Sequence, residues 1–155
     1  MKENNRFFVF MVAIFFIVSG CAAKSPLIKA SASGDSSAVE KLVNEGANVN
    51  EPDSRGYTPL MHAVLSGNTE TVKVLLNKGA VVNLGDKYNQ TPLIFAAYNE
   101  YLDIVKLLTE RGADLEARDY KGFTPLMYAS PLVLVEMLID RGADVNAKSN
   151  PGTPY

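Results

Sequence analysis

Apolar residues after position 25 recur three and four positions apart in three segments, a spacing that places them on one face of a helix. They are Val72, Leu75 and Leu76; Ile104, Val105, Leu107 and Leu108; and Leu134, Val135, Met137, Leu138 and Ile139. A shorter apolar segment precedes each of these and begins with Thr-Pro-Leu, at Thr58, Thr91 and Thr124. Threonine is a suitable N-cap, and proline is tolerated at the first helical position. The pattern therefore predicts pairs of helices.

The helix pairs follow a regular period. A proline followed by leucine begins each unit at intervals of 33 residues: Pro26, Pro59, Pro92 and Pro125. A glycine, which provides the left-handed conformation that commonly ends a helix, follows each second helix. These glycines are Gly46, Gly79, Gly112 and Gly142, the last of them three residues early. In the loops between units, Asn89 takes the turn position that Gly56 and Gly122 hold elsewhere, which predicts a positive φ there.

The units resemble the ankyrin repeat, which has a period of about 33 residues and the signature T-P-L-H-x-A. The resemblance is carried by "GYTPLMHAVLSGNTETVKVLLNKGAVVN" and by the two following segments. It implies an all-α solenoid of stacked helix-turn-helix units with β-turn loops. Repeats are expected at residues 25–52, 53–85, 86–118 and 119–148, with the start of an incomplete fifth repeat at residues 149–155.

The fourth repeat departs from this pattern. Its inter-helix segment, "YASPLVL", is three residues shorter than its counterpart in the third repeat. A clipped first helix is expected, with Ser130 and Pro131 as the cap and first position of the second helix. Stacked repeats need a polar outer face at their ends, so the apolar side of this repeat is expected to be exposed. Two explanations stay open: a truncated or degenerate last repeat, or another molecule that covers this end.

The start of the chain predicts export. Lys2 and Arg6 precede an unbroken apolar run at residues 7–18, a pattern typical of a secretory signal peptide. The following "VSGC" resembles the lipobox of bacterial lipoproteins, which implies removal of residues 1–20 and lipidation of Cys21. Residues 21–24 would then be a short tether, and Ala22 after the cysteine resembles outer-membrane sorting, with the domain on the periplasmic side. An uncleaved anchor helix and a buried structural thiol are the alternatives.

Composition argues against several other functions. Removal of residues 1–20 lowers the basic count from 15 to 13 and the acidic count from 17 to 16, so the formal net charge becomes -3. Nucleic-acid binding usually requires a basic patch, and none is evident. His62 is the only histidine, and no catalytic, metal-binding or phosphate-binding motif accompanies it. The chain is therefore predicted to have no enzymatic activity, cofactor, metal or small-molecule substrate.

Several polar residues recur once per repeat. Asp53, Asp86 and Asp119 begin the loops, and their expected role is to cap the turns with side-chain oxygens. Asn50, Asn83 and Asn146 are likewise expected to stabilise turns, with Glu116 as the outlier in the series. Equivalent positions have equivalent environments, whereas acid-base catalysis needs carboxylates whose pKa values differ.

Residues that do not follow the repeat pattern are the candidates for binding. On the loops they are Arg55, Tyr57, Lys87, Tyr88, Gln90, Tyr120, Lys121 and Phe123, and on the inner helices His62, Phe95, Tyr98 and Tyr128. Exposed aromatic and arginine side chains are common binding anchors. The resemblance implies a scaffold or adaptor, here for proteins of the cell envelope. The alternative function is an inhibitor or immunity protein that blocks an envelope enzyme or toxin. If the tyrosines only cover neighbouring loops, these residues have no binding role.

Overall fold

A computed structural model describes residues 25–150. The predicted signal peptide, Cys21, the tether and residues 151–155 lie outside the described residues. Four helix pairs occupy the described part: α1 (Pro26–Ser33) and α2 (Ser36–Asn44), α3 (Pro59–Leu65) and α4 (Thr69–Asn77), α5 (Pro92–Tyr98) and α6 (Leu102–Glu110), and α7 (Pro125–Tyr128) and α8 (Leu132–Asp140). The all-α prediction is confirmed, since residues 25–150 contain no strand. None of these helices has the length and apolar character needed to cross a membrane.

The helices form two stacked rows. The first helices of the repeats pack one upon the next, α1 on α3, α3 on α5 and α5 on α7, and the second helices α2, α4 and α6 stack in the same order. Ala63 and Ala96 are fully buried between the rows, where their small side chains let the backbones approach closely. Leu75 and Leu108 fill the same place in the second row and are also fully buried. The core is therefore a continuous column of equivalent apolar positions.

We call the first helices of the repeats, α1, α3, α5 and α7, the inner helices. Threonine caps start two of them, as predicted. The Thr58 hydroxyl accepts a hydrogen bond from the Met61 N–H at 3.3 Å, and the Thr91 hydroxyl accepts one from the Ile94 N–H at 3.4 Å. The same prediction for Thr124 is wrong. In the short α7 the Met127 N–H donates to the backbone carbonyl of Thr124 at 3.0 Å instead. The Thr124 hydroxyl is buried and has no hydrogen-bond partner.

The fourth repeat is shortened in the way the sequence predicts, with one difference. Helix α7 has 4 residues where α3 and α5 each have 7. Pro131 does not take the first helical position, because its ψ of 135° is extended and α8 begins only at Leu132. The cap of α8 is therefore Pro131 and not Ser130 as predicted. The deletion removes the inter-helix turn, so Ala129, Ser130 and Pro131 are the whole connection between the helices, and the backbones of Ala129 and Pro131 are extended.

Asparagine side chains link each repeat to the next. The Asn50 amide donates to the Gly79 carbonyl at 3.3 Å, and its oxygen accepts from the Val81 N–H at 2.8 Å. Asn83 makes the same two bonds to Gly112 and Asp114, at 3.1 and 2.9 Å. The turn that each asparagine stabilises therefore belongs to the following repeat, which the sequence did not indicate. We call this pair of bonds the inter-repeat bridge.

Candidate protein-binding face

Three loop tips, at residues 53–57, 86–90 and 119–123, are held in one conformation by their first residue. One carboxylate oxygen of each aspartate accepts two backbone N–H groups: Asp53 from Arg55 and Tyr57, Asp86 from Tyr88 and Gln90, and Asp119 from Lys121 and Phe123. The six distances lie between 2.8 and 3.0 Å. The predicted role of these aspartates in capping turns is confirmed. Asn89 has the expected positive φ, 57°.

In two of the three loop tips, the second carboxylate oxygen connects the tip to the inner helix. The His62 ring nitrogen Nε2 lies 3.1 Å from Asp53 Oδ2, and the Tyr128 hydroxyl donates to Asp119 Oδ2 at 2.6 Å. Asp86 Oδ2 is buried without a hydrogen-bond partner. The residue at the matching helix position is Phe95, whose ring has no polar atom. Two of the three loop tips are thus joined to their inner helix by a polar contact, and the middle one is not.

These contacts set the protonation of two groups. Burial alone would raise the pKa of Asp53, but hydrogen bonds from the Tyr57 and Arg55 N–H groups and the contact with His62 outweigh it, so the pKa lies below its usual value. Burial, followed by the hydrogen bond to Asp119, raises the pKa of the Tyr128 hydroxyl well above its usual value. At neutral pH, Asp53 is therefore a carboxylate and Tyr128 a hydrogen-bond donor.

One aromatic cluster joins the second and third repeats. The Tyr57 ring lies edge-on to His62 at 5.8 Å and to Phe95 of the next repeat at 5.4 Å. The Arg55 guanidinium lies 4.4 Å from the centroid of Tyr57, in the geometry of a cation–π contact. Arg55 is also 3.5 Å from the Asp53 carboxylate, an exposed contact that contributes little to stability.

Two further aromatic contacts join the third and fourth repeats. On the inner side, Tyr128 contacts Tyr98 of the third repeat at 5.9 Å, and it also contacts Phe123 of its own repeat at 5.5 Å. At the loop tips, Tyr88 packs on Tyr120 at 5.4 Å. The Tyr120 N–H donates to the Tyr88 carbonyl at 2.9 Å, so the backbones of these neighbouring tips are bonded as well. Lys121 extends this group, with its ammonium 5.6 Å from the Tyr120 ring.

The predicted binding residues divide into three groups by exposure. Five are exposed: Arg55, Lys87, Tyr88, Tyr98 and Tyr120. Five are half-buried: Tyr57, Gln90, Lys121, Phe123 and Tyr128. His62 and Phe95 are each only 7% exposed, so they are not the exposed binding anchors that the sequence suggests. The Tyr57 ring packs against both of them, and they support the face from beneath. A binding role for any of the twelve stays a prediction.

The exposed aromatic surface is concentrated in the third and fourth repeats. Tyr98 is 67% exposed, Tyr88 58% and Tyr120 55%. Nothing in the sequence distinguishes these three tyrosines from Tyr57 or Tyr128, which also lie on a loop tip and an inner helix. We define the aromatic face as Tyr88, Tyr98 and Tyr120 together with Lys87 and Lys121. Within residues 25–150 no group of three or more histidine, cysteine, aspartate or glutamate side chains is arranged to hold a metal ion.

One strained position next to this face was missed from the sequence. Glu100 has a φ of 60° at the turn between α5 and α6, where the first two repeats have Gly34 and Gly67 at φ 74° and 67°. Tyr101, which follows it, precedes α6 without a side-chain cap, whereas Asp35 and Asn68 cap the matching helices. An alignment of the three turns, "SGD" at residues 33–35, "SGN" at 66–68 and "NEY" at 99–101, would have shown that Glu100 replaces the glycine.

Comparison with known proteins agrees with this architecture. A family model described as "Ankyrin repeats (3 copies)" matches residues 11–86, 27–119 and 82–149. A search of curated proteins found no match to the chain.

Proposed function

The chain belongs to the ankyrin-repeat family, whose members are generally non-enzymatic protein–protein interaction modules, and we propose that it is an exported, lipid-anchored scaffold that binds a protein of the cell envelope through its aromatic face. The stacked repeats provide a rigid frame for this role. Each loop tip of that frame is fixed by its own aspartate, as the paired N–H contacts of Asp86 and Asp119 illustrate. A surface that is ordered before binding loses little conformational entropy when a partner arrives.

The observation that carries the proposal is the exposure of three tyrosines on a fixed backbone. Tyr88, Tyr98 and Tyr120 each leave more than half of their surface uncovered. Tyrosine provides a large contact area with few rotatable bonds and keeps a polar group for a hydrogen bond, which is why it is common among the energetically dominant residues of interfaces. Lys87 and Lys121 add positive charge beside these rings. The face suits a partner that presents apolar and acidic side chains.

The proposed location follows from the sequence before the repeats. A lipid on Cys21 would leave only residues 22–24 between the anchor and the first repeat, a reach of roughly 10 Å at about 3.5 Å per residue. The repeats would then lie close to the membrane, on the periplasmic side of the outer membrane. Partners that are themselves in the envelope would be within reach. The lipobox resemblance of "VSGC" supports this proposal.

Affinity capture from detergent-solubilised envelope tests the function. The wild-type chain is compared with the Tyr88→Ala and Tyr120→Ala double variant, which removes the two ring surfaces at the tips but no core residue. We expect a protein that the wild type retains and the variant does not. If the two chains retain the same proteins, the aromatic face is not the binding site.

A second step separates a scaffold from an inhibitor. The captured partner is purified and its own activity measured with and without the repeat protein. Unchanged activity supports the scaffold. Complete loss of activity at equimolar protein supports the inhibitor or immunity protein instead.

A further inference from the structure

Within residues 25–150, the C-terminal end of the stack has an exposed apolar surface. Met127 is 36% exposed, whereas Met61 and Ile94, at the same position of the two preceding repeats, are 0% and 1% exposed. Val145 is exposed, while the matching Val82 is half-buried. In the inner repeats these positions are covered by the following repeat. We define the end surface as the exposed apolar residues Met127, Ile139 and Val145, together with Glu136, Asp140 and Asn146. These three polar residues match Glu40, Asn44 and Asn50, whose side chains bond to the following repeat.

The polar groups of the end surface show which backbone it can receive. Asn146 lies at the position of Asn50 and Asn83, each of which forms an inter-repeat bridge to a turn of the next repeat. Within the described part of the chain, the Asn146 side chain makes no such bond. One amide donor and one carbonyl acceptor are therefore available, in the arrangement that elsewhere binds the C=O of a turn glycine and the N–H two residues later.

The charges of the end surface show which side chain it can receive. Lys78, directly before its turn glycine, lies 2.9 Å from both the Glu40 carboxylate and the Asn44 amide oxygen of the preceding repeat. Arg111 makes the equivalent bond to Asn77 at 2.8 Å. On the end surface the positions of Glu40 and Asn44 are occupied by Glu136 and Asp140, and both are acidic. They form a more negative receptor for a basic side chain than the matching pairs at the three junctions between repeats, which are Glu40 and Asn44, Lys73 and Asn77, and Lys106 and Glu110.

We propose that the end surface binds a helix-turn unit of a partner polypeptide that carries lysine or arginine directly before a turn glycine. The apolar side of that unit covers Met127 and Val145, its basic side chain pairs with Glu136 and Asp140, and its turn backbone bonds to Asn146. The interface continues the geometry of the inner repeat junctions. It shares no residue with the aromatic face, so the two surfaces can bind different partners.

A second copy of this chain does not fit the description. The first repeat has Glu45 where the second has Lys78, and a carboxylate facing Glu136 and Asp140 would be repelled. Helices α1 and α2 also expose no large apolar side chain that could cover Met127 and Val145. Negative charge and a polar outer side thus both disfavour stacking of one copy on another.

A peptide of residues 58–86 of this chain is the probe, because it contains both helices of the second repeat and the Lys78-Gly79 turn. Its fluorescently labelled form is titrated with the full chain and followed by anisotropy. The matched control is the same peptide with Lys78→Glu. We expect saturable binding of the first peptide and at least tenfold weaker binding of the second. Asp140→Lys in the protein should reverse the preference, and Asn146→Ala should weaken both peptides.

Several outcomes would overturn the proposal. They are equal binding of the two peptides, no saturable binding, or self-association of the protein alone that Asp140→Lys abolishes. A fusion of residues 55–86 after Asn150 provides a second measurement, because it removes the entropy cost of ordering a free peptide. We expect a higher unfolding midpoint that falls when the fused lysine is changed to glutamate. If the fusion shows this effect but the free peptide does not bind, the surface accepts only a covalently joined repeat, which also contradicts the proposal.

Discussion

The ring of His62 lies 3.1 Å from Asp53 Oδ2, and one repeat later the Phe95 ring leaves the matching oxygen of Asp86 without a partner. A buried polar atom without a hydrogen bond is costly, because it loses its contact with water and gains nothing in return. The third repeat therefore carries a local defect that its two neighbours lack.

Phe95→Tyr should remove this defect. The new hydroxyl would lie one repeat before the Tyr128 hydroxyl and in the equivalent position. The Tyr128 hydroxyl donates to Asp119 Oδ2 at 2.6 Å, and the new one would donate to Asp86 Oδ2 in the same way. We expect the free energy of unfolding to rise by about 1 kcal/mol, the usual net value of such a bond. Urea unfolding measures it. In an Asp86→Ala background the gain should disappear, and a gain that persists there would show that the new bond is not its cause.

Glu100→Gly should also stabilise the fold. Glu100 is held at a φ of 60°, which is unfavourable for residues other than glycine, while Gly67 occupies the matching position one repeat earlier. Relief of this strain is expected to contribute about 1 kcal/mol, measured as a higher thermal unfolding midpoint. The reverse change, Gly67→Ala, serves as the control and should destabilise. Its added carbon would lie 3.1 Å from the Tyr101 ring. Equal midpoints for wild type and Glu100→Gly would contradict the argument.

Acid should weaken the loop tip of the second repeat through Asp53. The pKa of this carboxyl is lower in the folded chain than in the unfolded chain, so its contribution to stability is fully present above about pH 4. The contribution is lost as the pH falls from there through the lower folded value. Other carboxylates titrate in the same range, so the wild type is compared with Asp53→Asn. Between pH 5 and about pH 3, the free energy of unfolding should fall less in Asp53→Asn than in the wild type. Parallel pH profiles for the two proteins would disprove it.

Binding through the aromatic face predicts a separation of affinity from stability. Tyr88→Ala should weaken binding of the captured partner by at least about 1 kcal/mol, because the contact area of the exposed ring is lost. The unfolding midpoint should change little, because the ring packs mainly on Tyr120. Calorimetry measures the affinity, and Glu70→Ala, an exposed change on α4, is the matched control. A Tyr88→Ala chain that unfolds earlier and binds normally would assign the ring a structural role only.

Lipidation predicts a change in processing when its acceptor is removed. Cys21→Ser should abolish incorporation of labelled fatty acid and leave the precursor with its first 20 residues uncleaved. Metabolic labelling followed by immunoprecipitation measures both. Lipid labelling that persists in Cys21→Ser would place the lipid on another residue or exclude the lipobox.

The repeat architecture could be predicted because the same local sequence signals recur in each repeat. Threonine before proline and glycine after the second helix fix the ends of the helices, and Thr58 and Thr91 behave accordingly. Thr124 does not, because the deletion after Tyr128 shortens α7 and its carbonyl takes the amide that the hydroxyl would have bonded. A local signal fails here because the length of the following segment overrides it.

The binding face was harder to predict, since exposure depends on neighbours in the next repeat. Tyr57 and Tyr88 lie two residues apart in the repeat pattern, yet one ring is packed between His62 and Phe95 and the other is open to solvent. The sequence identifies which residues vary from the repeat. It does not say how a ring in one repeat lies against a ring in another, because that depends on the stacking of whole units.

Glu116 occupies the position of the inter-repeat bridge between the third and fourth repeats, where it accepts one bond from the Asp144 N–H at 2.8 Å. A carboxylate cannot donate to the Gly142 carbonyl, so half of the bridge is missing there. In a linear stack under tension, every junction carries the same load, so a turn that is held by one bond is a weaker attachment than a turn that is held by two. Force applied at the C-terminal end would therefore release the turn after α8 before the turns that Asn50 and Asn83 hold, while the bonds of Tyr120 to Tyr88 and of Arg118 to Lys148 still join the third and fourth repeats.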